Sequence, residues 1–257
     1  MKVSKRNNKL YLHSELLDKN LNIKHIFSTV DFGNQGLHVG DIAEKVIENR
    51  KRLADFIEVD PSHLTSAKQV HGTNIKIVEL EDRGKGAFDY EEAIDDCDGL
   101  ITKMTYIPLF SFYADCTPIY LYDPVEKIIG ILHAGWKGTL NNIAGKSVDL
   151  VVEKFNSKPE NLIYIIGPAI SLDNYEVSEE IIDQLADLKL DTLPFVKGSK
   201  ISLAEINREN LKRKGVCQIE VDEHCTYKDK TFFSYRRDGK FAGRMAAIIM
   251  ITDEVTN

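Results

Sequence analysis

Residues 108–155 read PLFSFYADCTPIYLYDPVEKIIGILHAGWKGTLNNIAGKSVDLVVEKF, and this stretch decides the fold. Its apolar runs at 108–114, 118–123 and 128–136 are short enough for strands and rich in branched and aromatic residues, so they predict three consecutive strands. Helical spacing returns at 140–155, and another strand is expected at 161–167, running into 168–170. Strands interleaved with amphipathic helices predict an α+β domain in which helices cover a mixed β-sheet.

The same alternation extends in both directions. A strand is expected at 25–30, followed by a helix over 41–57 with Ile42, Val46, Leu53 and Ile57 at helical intervals behind Asp41 as its cap. Two short strands are expected at 65–70 and 74–80, with Gly72 supplying the bend between them. The charged, glycine-containing stretch 81–96 reads as a mobile loop. Amphipathic segments lie at 178–188 and 202–215, the second with Ser202 and Glu205 as a capping box and Gly215 as terminator. Residues 245–251 read as a final buried strand. No repeat, heptad or compositional shift divides the chain, so a single domain over 1–257 is expected.

With 257 residues, 43% of them hydrophobic, the chain can bury a sizeable core. A formal charge of -7, with both signs scattered, argues against a nucleic-acid binder while leaving room for a local basic pocket. The first twenty residues lack the apolar centre of a signal peptide, and no apolar run reaches membrane-spanning length; a soluble cytoplasmic protein with no membrane partner is expected. Cys97, Cys116, Cys217 and Cys225 form no CxxC pair and are judged individually as free thiols or ligands.

Chemistry concentrates in His71, Cys116 and His133, each at the end of a strand-like segment, where distant side chains converge on a rigid frame. Their spacings, 45 and 17 residues, match no zinc finger. Three readings stay open from the residues alone. A His2Cys set holds zinc with one tetrahedral position left for water or substrate. Cys116 and a histidine form a nucleophilic pair, with Asp115 or another polar neighbour orienting the imidazole. Or Cys116 simply fills a core. Asp98 has a claim similar to that of Asp115. Lys137, Arg236 and Arg237 are candidate anion donors, and Trp136, Phe112 and Tyr113 are candidate stacking partners. His224 and Cys225 adjoin but have no further ligand near them in sequence.

The motifs FSTV (27–30) with HVGD (38–41), KQVHG (68–72), CDGLIT (97–102), ADCTPIYLYDP (114–124), IGILHAGWKGT (129–139), IIGPAI (165–170), and CTY (225–227) with FFSYRRDGKFAGR (232–244) resemble the YfiH/DUF152 family. Its members were once called multicopper polyphenol oxidoreductases or laccase-domain proteins. The resemblance spans about residues 22–251. It implies a YfiH-like α/β/α layered architecture with mixed sheets and one catalytic metal ion, mainly described as zinc and historically as copper, held by His71, Cys116 and His133. It also implies phosphorolysis of adenosine, inosine and 5'-methylthioadenosine with inorganic phosphate, together with adenosine deamination. Peptidoglycan precursor editing is the alternative. Copper-dependent phenol oxidation fits poorly, because a laccase needs several copper centres and this chain has seven histidines. One departure is local: Val30, Asp31, Phe32 and Gly33 stand where many relatives carry an arginine and paired glycines.

Overall fold

The computed structural model describes residues 1–187 and 195–253. One mixed sheet runs in the order β1 (Lys2–Arg6), β2 (Lys9–His13), β3 (Ile23–Ser28), β14 (Met245–Ile251), β7 (Leu109–Tyr113) and β4 (Thr65–Ser66). A second runs β13 (Gln218–Val221), β10 (Ile163–Ile166), β8 (Thr117–Asp123), β9 (Ile128–Ala134), β6 (Gly99–Thr102) and β5 (Ile75–Ile77). A two-stranded ribbon joins β11 (Val196–Lys197) to β12 (Lys200–Ile201). Parallel pairs occur at β4–β7, β5–β6 and β10–β13, and the other pairs are antiparallel.

The central strands β6 to β10 and β14 lack polar alternation because both of their faces are buried, whereas the edge strand β1 is largely exposed. Along β7, Leu109 and Tyr113 face the second sheet, while Phe110 and Phe112 face away from it. Tyr120, Tyr122, Ile129, Ile131, Ile163 and Ile165 meet them from the second sheet. Two buried tyrosines cross this interface: Tyr120 donates its hydroxyl to the Ile26 carbonyl at 2.7 Å and Tyr113 donates to the Leu132 carbonyl at 2.9 Å. Each phenol thereby satisfies its own hydroxyl and pins one sheet to the other.

Helix α2 (Ala43–Phe56) packs Val46, Leu53 and Ala54 toward the outer face of the first sheet. Helices α4 (Ile143–Phe155) and α6 (Leu203–Arg213) cover the second through Val148, Val151 and Leu211. The layers are therefore helix, sheet, sheet, helix: the expected helix-covered mixed architecture, with two stacked sheets inside it. Shorter helices are α1 (Glu15–Asp18), α3 (Trp136–Leu140), α5 (Glu179–Asp187) and α7 (Tyr235–Asp238). Leu188, the last residue of the segment expected at 178–188, lies outside the described residues.

Several local expectations are corrected. Asp41 does not cap α2. Its carboxylate accepts from the Ile42 amide at 2.9 Å and from Asn34 Nδ2 at 3.3 Å, so Ile42 occupies the cap position with no side-chain bond. The strands at 65–66 and 75–77 belong to different sheets, and the left-handed residue between them is His71, at φ 62°, not Gly72. The loop at 81–96 is tied down: Arg50 Nη1 donates to the carbonyls of Gly86 and Ala87, at 2.7 Å each, and Ala87 and Ala93 are buried. Ser202 accepts from the Glu205 amide as expected, but the Glu205 carboxylate turns to Arg208, leaving half of the capping box. Gly215 follows α6 with φ 87°, as a terminator should.

Candidate metal centre

Three pieces of chain meet at one end of the stacked sheets. The chain leaves β4 in the first sheet and enters β5 in the second, and His71 lies on that crossing. It leaves β7 in the first sheet and enters β8 in the second through Ala114, Asp115 and Cys116. His133 is near the end of β9, paired opposite Pro118 of β8. Two crossings and a strand end thus bring together residues far apart in sequence. Asp115, with φ 89°, and His71 both hold left-handed backbone conformations that non-glycine residues seldom adopt, and such strain clusters at functional sites.

One ligand atom from each of His71, Cys116 and His133 lies within 4.8 Å of the others. Among the described residues this is the one grouping of His, Cys, Asp or Glu side chains able to hold a metal ion. The buried Asp98 carboxylate braces it. That carboxylate accepts from the amides of Val70 at 3.2 Å, His71 at 2.9 Å and Gly72 at 2.6 Å, and from His133 Nδ1 at 2.8 Å. One carboxylate therefore fixes the backbone that carries one histidine and the ring orientation of the other, leaving His133 Nε2 for a ligand role. Burial would raise the Asp98 pKa, but the bonds from His133 and the amides outweigh it and hold it below the ordinary value.

Burial also pushes the Cys116 thiol up, yet the neighbouring His133 and His71 imidazoles prevail and bring it down to about 6. Burial alone would lower His133, but Cys116 and Asp98 raise it to about 9. Without a metal the two groups therefore favour a thiolate beside an imidazolium, and a bound cation takes the place of that proton. Thiolate, two imidazoles and an outer carboxylate fit a zinc-type ion with an open position. Asp98→Asn is expected to weaken metal affinity by roughly 10- to 100-fold, measured by competition with a chromogenic chelator, with the fold retained. Unchanged affinity would remove Asp98 from the centre.

The triad opens on a cavity of about 510 Å³. Phe112, Trp136, Tyr175 and Tyr235 give it aromatic walls, and Arg236 and Arg244 supply positive charge. The Arg236 guanidinium lies 4.9 Å from the Tyr175 ring centroid and donates to the Glu176 carbonyl at 3.0 Å. Arg244 donates to the carbonyls of Ala242 and Gly243. Neither guanidinium pairs with a carboxylate among the described residues. Gly36 allows the close packing on this side: a Cβ there would meet Arg244 Cγ at 2.8 Å and His38 Cε1 at 3.1 Å.

The other candidates divide between cavity wall and elsewhere. Asp115 lines the cavity but orients neither histidine; its carboxylate accepts from Thr226, Ser234 and the Arg236 amide. Arg237 spends its guanidinium donors on the carbonyls of Thr226, Tyr227 and Phe232 and on Asp238, which makes it a brace of its own loop. Lys137 is exposed, with its ammonium 5.5 Å from the Trp136 ring and off the cavity wall. Tyr113 is buried between the sheets and is not part of the cavity lining. His224 turns to Asp222 at 3.0 Å, while Cys225 accepts from the Ser171 amide, so they form no second ligand pair. Arg244, Tyr175 and His38 escaped sequence reasoning, although Arg244 and His38 lie inside the quoted motifs.

The signature of the family described as "Multi-copper polyphenol oxidoreductase laccase" matches residues 25–252. "Purine nucleoside phosphorylase YlmD" of Geobacillus stearothermophilus is 38% identical over 232 residues, covering 87% of this chain and 85% of its own. The protein of the same name from Bacillus subtilis is 36% identical over 225 residues, covering 84% and 81%. The crystal structure of YlmD from Geobacillus stearothermophilus superposes with a TM-score of 0.91 at 32% identity, over 98% of this chain and 99% of that one. That of the Bacillus licheniformis hypothetical protein YfiH gives a TM-score of 0.89 at 35% identity, over 94% and 96%. Sequence signature, relatives and fold agree that this chain belongs to the multi-copper polyphenol oxidoreductase laccase family, the YfiH/DUF152 family of its structural neighbours.

Proposed function

We propose that this chain is a purine nucleoside phosphorylase that holds one zinc ion on His71, Cys116 and His133. Its substrates are adenosine, inosine and 5'-methylthioadenosine, cleaved with inorganic phosphate, and adenosine deamination is a second reaction of the same cavity. The observation that carries this reading is the convergence, in one cavity, of the ligand triad, aromatic walls and two arginines with no carboxylate partner among the described residues. The names of the YlmD relatives support it.

In phosphorolysis the glycosidic C–N bond breaks, a phosphate oxygen bonds to the ribose carbon, and the base leaves with the bonding pair and gains a proton. Bound zinc supplies Lewis-acid charge stabilisation. The chain's own residues do the rest. Trp136 and Phe112 offer faces on which a purine stacks. Arg236 and Arg244 hold phosphate by charge-assisted hydrogen bonds. Asp98 keeps both histidines in place. The cavity falls within the usual range of about 300–1,000 Å³ for small-molecule sites.

Purified protein incubated with adenosine is expected to yield adenine and ribose 1-phosphate in equal amounts only when phosphate is present. Inosine formed without phosphate reports the deamination. No turnover of any purine nucleoside in the metal-loaded protein would overturn the proposal and favour precursor editing, while oxygen consumption with phenols would favour the oxidase reading.

A further inference from the structure

We propose that Asp115 is a positioning residue that locks the α7 turn over the cavity and ties it to the metal ligand beside it in sequence. Its carboxylate is buried, and among the described residues its hydrogen-bond partners all lie in one distant segment, 226–236. Oδ1 accepts from Thr226 Oγ1 at 2.7 Å, and Oδ2 accepts from Ser234 Oγ at 3.0 Å and from the Arg236 amide at 2.6 Å. Ser234 in turn accepts from the Arg237 amide, completing the cap of α7. The Asp115 carbonyl accepts from the Ile170 amide at 3.0 Å, and the neighbouring Ala169 carbonyl accepts from the Thr226 amide at 3.1 Å.

The consequence is geometric. Tyr235 and Arg236, the first two residues of α7, line the cavity, and their backbone is held from the corner that carries Cys116. The left-handed backbone of Asp115 turns its side chain toward α7 while the next residue enters the metal cluster. An ordinary extended residue here would send the chain elsewhere. Aspartate and asparagine tolerate this conformation better than other non-glycine residues, so Asp115→Asn changes the hydrogen bonds and leaves the corner intact. Asparagine can set its amide oxygen on the Arg236 amide and Ser234 and donate its amide nitrogen to Thr226 Oγ1, but without the carboxylate charge these bonds are roughly half as strong, so the lock is weakened.

This inference rests on the phosphorylase reading for its kinetic effect, though not for its structural one. The experiment compares wild type, Asp115→Asn, Arg236→Ala and the double variant as metal-loaded full-length proteins. Three quantities are measured: metal content, the kinetics of phosphate use, and hydrogen exchange of the amides at 235–237. Asp115→Asn is expected to raise the KM for phosphate about tenfold with kcat within about threefold, and to add less than about twofold in the Arg236→Ala background. Exchange at 235–237 is expected to quicken with metal content unchanged. Additive effects, loss of metal, or unchanged exchange would overturn the role. Should the wild type fail to use phosphate, the phosphorylase reading falls by itself. Exchange and metal content then decide Asp115: faster exchange at 235–237 with metal retained supports the lock, and any other result rejects it.

Discussion

Cys116→Ala is expected to purify folded but with less than about a tenth of the wild-type metal, and to lose turnover by on the order of a thousandfold. The thiolate is one of three protein ligands, so its removal leaves His71 and His133 alone on the ion. Cys116→Ser separates donor chemistry from shape, because a hydroxyl fills nearly the same space but is a far poorer zinc ligand. The rival in which Cys116 attacks substrate is tested in the same preparation. In metal-stripped wild type the imidazoles hold the Cys116 thiol near about 6, so iodoacetamide at pH 7 is expected to alkylate it readily. In the metal-loaded protein the sulfur is committed and alkylation is expected to slow sharply. Full metal content in Cys116→Ala, or a ribosyl adduct on Cys116 trapped during turnover, would sink the ligand assignment.

The outline of the fold was legible from periodicity, because fully buried strands leave continuous apolar runs and the helices keep one polar face. The assignment of strands to sheets was not. The stretch from β7 into β8 reads as consecutive strands, yet Ala114–Cys116 is a corner between two stacked sheets, and only tertiary pairing decides that. The same limit governed the site. His71, Cys116 and His133 could be named because each sits in a compact motif with turn residues. Asp98 stood out no more than Asp115, since the sequence does not say which carboxylate reaches an imidazole; the pairing of β6 with β9 places Asp98 beside His133. Arg244 lay in a quoted motif but drew no attention beside the paired Arg236 and Arg237. What selects it is the register of β14 against β7, which sets Met245 opposite Tyr113 at the cavity edge. Arg237, although adjacent to Arg236, points back into its own loop, which a basic dipeptide in a sequence does not reveal.

Gly135→Ala is expected to be the sharpest steric test of the centre, because it adds one methyl group and removes no ligand. Gly135 has φ -72° and ψ 178°, a conformation any residue adopts, so alanine brings no backbone strain. Its Cβ would lie 2.7 Å from His71 Cδ2, closer than that atom allows, and 3.2 Å from Cys116 Sγ, a tight contact that a few tenths of an ångström would relieve. Something has to shift. The His71 imidazole is exposed and can swing away without disturbing the core, but in swinging it leaves the cluster. Metal affinity is therefore expected to fall by roughly 100-fold or more, measured by chelator competition, while the metal-free protein unfolds within a few degrees of wild type. Gly138→Ala is the contrast within the same motif. There the added Cβ would meet the Gly72 carbonyl oxygen at 2.8 Å, a backbone atom on the Asp98-braced loop with no freedom to rotate. That variant is expected to lose about 1–3 kcal/mol of stability through overpacking, read by urea unfolding of the metal-free protein. If Gly135→Ala binds metal as tightly as wild type, His71 holds the ion with slack, and the close approach of Gly135 to the cluster is no part of how the ion is held.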